Sequence, residues 1–128
     1  MHLHHIGCLV SNIIEEAKQY LALSNTDTLE VVDIESQKVK IAFIPIRDNF
    51  FIELIEPKVG NKSLNKLLKK NTNFYHLGYV TQNFDLEVKN LVDSGYKRLP
   101  VFNSEAFNMK RCIFLLNHSG HLIEVIED

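Results

Sequence analysis

Apolar residues in the first part of the chain form four short runs bounded by turn-forming residues, and they recur at helical spacing in one further segment. The helical segment, 12–23, carries Ile13 and Ala17 on one side, and Asn12 is placed to cap it. Turn-forming residues at 24–27 follow this helix. The other four segments are predicted strands at 3–10, 28–35, 39–46 and 50–56. This region therefore predicts the element order β-α-β-β-β.

The same order recurs in the last part of the chain. A helix is predicted at 84–94, Pro100 indicates an edge strand or bulge, and 103–108 is a predicted loop. The strands of this part are predicted at 74–81, 96–102, 109–116 and 121–127. Between the two parts, 58–72 is a connector with a short predicted helix at 63–70.

These elements predict an α+β fold made of two tandem βαβββ modules. Module one covers about 1–57, the connector about 58–72 and module two about 73–128. At 128 residues the chain is one domain's worth of sequence. We expect the modules to form an open, cleft-like mixed sheet with the helices on its outer face.

The two modules share a repeated pattern of polar residues. His5-Ile6-Gly7 recurs as His76-Leu77-Gly78, and Glu53 in an apolar strand recurs as Glu124. Both pairs are offset by 71 residues, from 5 to 76 and from 53 to 124. At the same offset Asn12 meets Asn83 and Phe43 meets Phe114. An internal repeat with matched imidazoles and carboxylates indicates a site as well as a fold.

Strand periodicity predicts which way these residues point. Because side chains alternate between the faces of a strand, His5, Glu53, His76 and Glu124 are predicted on the helix-free, concave face of the sheet. The opposite face is apolar enough to lie under the helices, and it carries Ile6, Cys8, Ile52, Leu54, Leu77, Tyr79, Ile123 and Val125. Glu56 and Glu127 also fall on that opposite face, at strand ends, where we expect them to be solvated.

A glutamate in the middle of an apolar strand needs a compensating partner. Burying an unpaired carboxylate costs several kcal/mol, roughly. If the modules face each other, two imidazoles and two carboxylates converge and supply the ligands of one divalent metal ion: Ni, Co, Zn, Fe or Mn. Any one of these residues alone is typical of a satisfied polar group at a sheet edge, so the matched set is what favours the metal.

Composition excludes several classes of function. The net charge of −2 is not that of a nucleic-acid binder. No apolar run reaches the roughly 18 residues of a membrane span, and no signal peptide is visible, so a cytoplasmic location is predicted. Cys8 and Cys112 lie in apolar strands and are predicted to be buried core thiols without a disulfide.

Two further polar clusters have plain interpretations. Lys62, Lys66, Lys69 and Lys70 are expected to form a solvated face of the connector helix, with binding of an anionic group such as a nucleotide phosphate as the alternative. His118 and His121 flank a turn without a counterpart in module one, which indicates surface residues.

The pattern as a whole resembles the vicinal oxygen chelate superfamily. The likeness is to its small bacterial members of the glyoxalase I and methylmalonyl-CoA epimerase type, and it covers essentially the whole chain. It is carried by the stretches His4-His5-Ile6-Gly7, Val39-Lys40-Ile41-Ala42-Phe43, Ile52-Glu53-Leu54-Ile55-Glu56-Pro57, Tyr75-His76-Leu77-Gly78 and Leu122-Ile123-Glu124. Epimerases often have two histidines where this chain has Tyr75-His76, which is a small departure.

The resemblance implies a function. The metal ligands would be His5, Glu53, His76 and Glu124, and Glu124 or Glu53 would move a proton next to a carbonyl or thioester through a metal-stabilised enediolate. The substrate would be a glutathione hemithioacetal or an acyl-CoA thioester, and a homodimer is expected. Asn108 and Arg111 lie in the segment that faces substrate in such proteins.

Two alternatives stay open from the sequence. A metal-free module of the same fold would sequester small molecules such as drugs, although four intact ligand positions argue against it. An iron dioxygenase usually needs two histidines and one carboxylate, and the second carboxylate here argues against that reading.

Overall fold

The computed structural model describes residues 1–24 and 26–128, so the predicted turn at 24–27 includes one position, Asn25, outside the described residues. The described part contains three α-helices and nine strands, which confirms the α+β class. It divides into two compact units. We call His5–Tyr75 the N-terminal unit, and Met1–His4 with His76–Asp128 the C-terminal unit.

The N-terminal unit follows the predicted order. Its strands pair in the order β2-β3-β4-β1, with β1 parallel to β4 and the other pairs antiparallel. The elements are β1 (His2–Leu9), α1 (Ile13–Leu21), β2 (Val32–Ile34), β3 (Val39–Arg47), β4 (Phe50–Pro57) and α2 (Lys62–Lys69).

The C-terminal unit repeats this pairing around its own central strand. β9 lies parallel to β5 and antiparallel to β8, and both β6 and β7 pair with β8. The elements are β5 (Phe74–Thr81), α3 (Phe84–Asp93), β6 (Lys97–Arg98), β7 (Phe102–Ser104), β8 (Lys110–Leu116) and β9 (Leu122–Glu127).

Three predicted segments differ from the structure. The strand predicted at 28–35 is only β2, because a 3₁₀ turn at Glu35–Gln37 ends it and β3 pairs with three of its residues. The strand predicted at 96–102 is split into β6 and β7, with Pro100 in the gap, since proline has no N–H for a ladder bond. The loop predicted at 103–108 instead contains the end of β7 and a 3₁₀ turn at Glu105–Phe107.

Each unit buries its helix against one face of its sheet. In the N-terminal unit, Ile13 and Ala17 of α1 pack with Cys8 and Leu54. In the C-terminal unit, Phe84 and Val88 of α3 pack with Ile113, Leu115 and Val125. The helix-covered face is therefore the apolar one, as the alternation predicted.

The two cysteines are buried core thiols, as predicted. Cys8 is 3% exposed and Cys112 is 0% exposed, and neither forms a disulfide. Burial raises the pKa of the Cys8 thiol to about 11, so this group is protonated at neutral pH. Such a thiol is a poor nucleophile, which agrees with a packing role.

The prediction that Glu56 is merely solvated is wrong. Its Oε1 accepts a hydrogen bond from the backbone N–H of Ile13 at 2.9 Å. Ile13 is the first residue of α1, where the backbone N–H groups have no partner within the helix. Glu56 thus caps α1 together with Asn12, whose Oδ1 accepts the N–H of Glu15 at 3.1 Å.

Removing this cap should destabilise the fold. We expect Glu56→Ala to lower the free energy of unfolding by about 1–2 kcal/mol, since a partly buried N–H and a favourable charge at the helix N-terminus are both lost. Urea denaturation measures this change. Glu30→Ala is the matched control at an exposed position, and equal losses in the two variants would contradict the capping role.

None of the helices in the described ranges is long and apolar enough to cross a membrane.

Candidate functional site

The site is built on β4 in the N-terminal unit and begins with the placement of Glu53. In the strand register, Gly7 lies beside Glu53 on one side and Phe43 on the other. Because glycine has no side chain, Gly7 places no Cβ beside the carboxylate on the β1 side. His5 lies two residues before Gly7 on β1 and so points to the same face.

The side chains of His5 and Glu53 lie close together. Nε2 of His5 lies 3.7 Å from Oε1 of Glu53. The His5 side chain is fully buried, and Glu53 is 5% exposed. The Phe43 ring meets the imidazole edge-on, with 5.8 Å between ring centroids and 73° between ring planes. The glycine of the His-Ile-Gly motif and the phenylalanine across the sheet therefore shape one buried polar position.

The C-terminal unit repeats this arrangement around Glu124 on β9. Gly78 lies beside Glu124 on β5, and Phe114 lies beside it on β8. Nε2 of His76 lies 3.3 Å from Oε2 of Glu124, and these residues are 6% and 4% exposed. The Phe114 ring meets the His76 ring at 5.3 Å and 85°. The sequence repeat is thus a repeat of side-chain geometry within each unit.

Each pair lies on the face of its sheet away from the helix. On β4, Leu54 packs with α1, so Glu53 points to the other face. On β9, Val125 packs with α3, so Glu124 does the same. The predicted helix-free location of both carboxylates is correct within each unit.

The donor atoms of each pair fit a divalent metal ion. An imidazole nitrogen and a carboxylate oxygen 3.3–3.7 Å apart are close enough to contact a common ion. This mixed nitrogen and oxygen set is the one that zinc, nickel, cobalt, iron and manganese accept in proteins. A cation would also offset the cost of burying the two carboxylates.

Arg111 forms ion pairs with residues of α3 and β9. Its guanidinium makes a two-bond ion pair with Glu127, at 2.7 and 3.0 Å, and another with Asp85, at 3.1 and 3.2 Å. It also lies over the Phe84 ring, 4.6 Å from the centroid. Asp85 and Phe84 belong to α3, so Arg111 ties β8 and β9 to the helix. Its role toward substrate stays a prediction, whereas the expectation that Glu127 is merely solvated is wrong.

The ion pair between Arg111 and Glu127 predicts that the stability of the fold depends on pH. Hydrogen bonds from Arg111 hold the pKa of Glu127 below its usual range. A depressed carboxyl pKa contributes stability above the unfolded value of about 4.3 and loses it as the pH falls through the folded value. We expect Glu127→Gln to lose less stability than the wild type on acidification from about pH 5 to pH 3. Urea midpoints of the metal-free proteins measure this difference. In an Arg111→Met background the substitution should change nothing further, and identical pH profiles of the wild type and Glu127→Gln would refute the linkage.

The remaining predicted residues have simple placements. Asn108 has a φ of 53°, a left-handed conformation that asparagine tolerates well, and it follows the 3₁₀ turn before β8. Its predicted contact with substrate stays a prediction. His118 and His121 are exposed, as expected. The four connector lysines are exposed too, and no ion pair among residues 1–24 and 26–128 involves them.

The comparisons with known proteins agree with this architecture. The family model described as "Glyoxalase/Bleomycin resistance protein/Dioxygenase superfamily" matches residues 4–112. No curated protein sequence shows a significant match.

Solved structures resemble the whole chain. A variant of Streptomyces coelicolor methylmalonyl-CoA epimerase in complex with 2-nitronate-propionyl-CoA is 20% identical, with a TM-score of 0.84 over 100% of this chain and 94% of that one. A methylmalonyl-CoA epimerase in complex with methylmalonyl-CoA and NH4+ is 21% identical, with a TM-score of 0.83 over 98% and 93%. A hypothetical protein from Bacillus halodurans C-125 is 23% identical, with a TM-score of 0.79 over 99% and 94%. At such identities the likeness establishes the fold.

Proposed function

The chain belongs to the glyoxalase/bleomycin resistance protein/dioxygenase superfamily, and from this premise we propose that it is a metal-dependent enzyme that moves a proton next to a carbonyl or thioester. The observation that carries the proposal is the matched pair of buried His–Glu contacts, His5 with Glu53 and His76 with Glu124. A superfamily member without metal chemistry has no need of two buried carboxylates at repeat-related positions.

The proposed metal site joins both pairs. His5, Glu53, His76 and Glu124 together hold one divalent ion, with Ni, Co, Zn, Fe and Mn as candidates. This arrangement is supported by the equal offset of the histidines and the glutamates and by the burial of all four side chains. Two imidazoles and two carboxylates leave coordination positions for substrate oxygens.

When bound, the ion supplies Lewis acidity that stabilises negative charge on the oxygens of a deprotonated substrate. Glu124 takes the proton from the carbon next to the carbonyl, and Glu53 is the alternative base. A proton then adds to the opposite face of that carbon in epimerisation, or to the neighbouring carbon in isomerisation of the hemithioacetal. His5 and His76 would hold the ion and take no part in the proton transfer.

The substrate proposed first is an acyl-CoA thioester with an acidic proton at carbon 2. Structures of similar fold contain methylmalonyl-CoA and a nitronate analogue of it, which supports this choice. A glutathione hemithioacetal is the second candidate, in a glyoxalase I type of isomerisation. We further propose a homodimer, in which each metal site is completed either within one chain or across two chains.

Proton exchange tests the proposal directly. The metal-free protein is loaded in turn with each of the five ions and incubated with methylmalonyl-CoA in deuterium oxide, and deuterium at carbon 2 is followed by NMR. A parallel assay follows isomerisation of the hemithioacetal of methylglyoxal and glutathione. We expect metal-dependent exchange of the thioester and none after chelation.

The other outcomes are informative. Turnover of the hemithioacetal alone would indicate an enzyme of the glyoxalase I type and not of the epimerase type. Turnover of neither substrate, combined with tight binding of an apolar drug by the metal-free protein, would replace the enzyme by a sequestering module and overturn the proposal.

A further inference from the structure

Each predicted metal-binding imidazole has a phenylalanine ring set edge-on against it. We propose that Phe43 and Phe114 are positioning residues that orient His5 and His76 for metal binding. The inference rests on the metal site proposed above and extends it to residues that do not bind the ion. Neither phenylalanine carries a donor atom, so any effect on the metal has to act through the histidines.

Strand register places both rings at one point of the site. Phe43 lies opposite Glu53 on β3, and Phe114 lies opposite Glu124 on β8. Each ring reaches past its glutamate to the histidine two strands away. The His–Phe ring distances are 5.8 and 5.3 Å, with interplanar angles of 73° and 85°. These values lie in the preferred T-shaped range for aromatic pairs.

The contact matters because the histidine ring needs to be held at one angle. Rotation about the bond between Cβ and the imidazole is broad and only weakly restricted by the backbone. A rotated ring would move Nε2 away from the facing carboxylate oxygen, now at 3.7 or 3.3 Å. An edge-on neighbour restricts this rotation, so less ordering remains to be done when an ion binds.

The two modules support their phenylalanines differently. Phe114 stacks on Phe102, at 5.7 Å and 15°. Phe43 instead meets Phe51 edge-on, at 5.8 Å and 73°. Phe102 and Phe51 have no aromatic counterpart at the 71-residue offset, where Val31 and Leu122 lie. The His–Phe contact is therefore repeated in the two modules, whereas the aromatic residue that packs against each phenylalanine is not.

Substitution of Phe114 provides the main test. We expect Phe114→Leu to weaken binding of cobalt about tenfold by calorimetry, the lower end of the range for residues that orient metal ligands. Phe114→Tyr keeps the ring and should restore wild-type affinity. The visible absorption bands of bound cobalt, which report ligand geometry, should broaden or shift in Phe114→Leu only. Phe43→Leu should act in the same direction through His5.

Phe74→Leu is the matched control. Phe74 is 72% exposed, so this substitution removes an aromatic ring from the surface. Wild-type cobalt affinity and spectrum in Phe114→Leu would overturn the inference. So would an equal loss in Phe114→Leu and Phe114→Tyr that follows their thermal stability, because that result indicates a packing role.

A measurement on the metal-free protein separates this inference from the metal site itself. NMR relaxation of the His76 ring should show increased mobility in Phe114→Leu and wild-type order in Phe114→Tyr. An unchanged order parameter of the His76 ring in Phe114→Leu would overturn the proposal that Phe114 orients this ring. Failure of the wild type to bind any of the five ions would overturn the proposed function instead, since the ring measurement requires no ion.

Discussion

Glu124→Gln is expected to lower the rate of proton exchange at carbon 2 of the thioester by about 10²–10⁴-fold, the usual contribution of a positioned base. Glutamine keeps the size of the side chain and its ability to accept hydrogen bonds but cannot take up the proton. Glu124 is 4% exposed and lies beside His76, so water has little access to act as the base in its place. Deuterium incorporation under saturating substrate measures the loss.

The matched control for this variant lies three residues along the same strand. Glu127→Gln removes a carboxylate from β9 that faces Arg111 on the helix side. It should retain wild-type exchange at neutral pH, although its stability there is lower because the ion pair with Arg111 is lost. If Glu124→Gln exchanged the proton as fast as Glu127→Gln, Glu124 would not be the base. A large rate loss in Glu53→Gln with retained metal would then assign that role to Glu53.

Much of the fold could be predicted because its determinants are local or repeated. The strand predicted at 74–81 matches β5 to the residue, and Asn12 predicted the start of α1. The faces of β4 and β9 followed from strand periodicity, since a period of two leaves only one way to bury Leu54 and Val125. The 71-residue offset matches Phe43 with Phe114 in the sequence. Their position beside the histidines is visible only in the structure.

The errors arose where a residue's partner lies far away in the sequence. Nothing near Glu56 shows that its carboxylate reaches Ile13, 43 residues earlier. Nothing near Glu127 shows that its carboxylate pairs with Arg111, 16 residues earlier. Only the packed structure brings such charges together. The repeat itself hides this difference, because Glu56 and Glu127 are equivalent in sequence but bind a backbone N–H and a guanidinium, respectively.

The sequence alone also does not determine how many metal ions the two His–Glu pairs bind. Each unit contains one complete His–Glu pair with its own glycine and phenylalanine. Two pairs can serve one shared ion or two separate ions, and these arrangements predict different stoichiometries. The number of metal ions bound per chain therefore distinguishes these two arrangements.

His76→Ala is expected to remove essentially all tight binding of divalent ions, with an affinity loss of at least about 100-fold, beyond the range for residues that only orient ligands. The reason is that an ion held by the proposed four-residue site would lose one of its donors, each of which is buried. Metal content after loading and dialysis should fall from about one ion per chain to near zero, and His5→Ala should give the same result. His121→Ala, at an exposed histidine of the same unit, is the control and should keep its ion.

Separate sites would behave differently, which makes this substitution decisive for the proposed shared site. The wild type would then hold about two ions per chain, and His76→Ala would retain the one bound by His5 and Glu53. A mixture of His5→Ala and His76→Ala chains adds a further distinction. If a dimer builds each site from two chains, mixed dimers contain one intact site and recover part of the metal and activity. If each chain builds its own site, every site in the mixture lacks one histidine, and no recovery is expected.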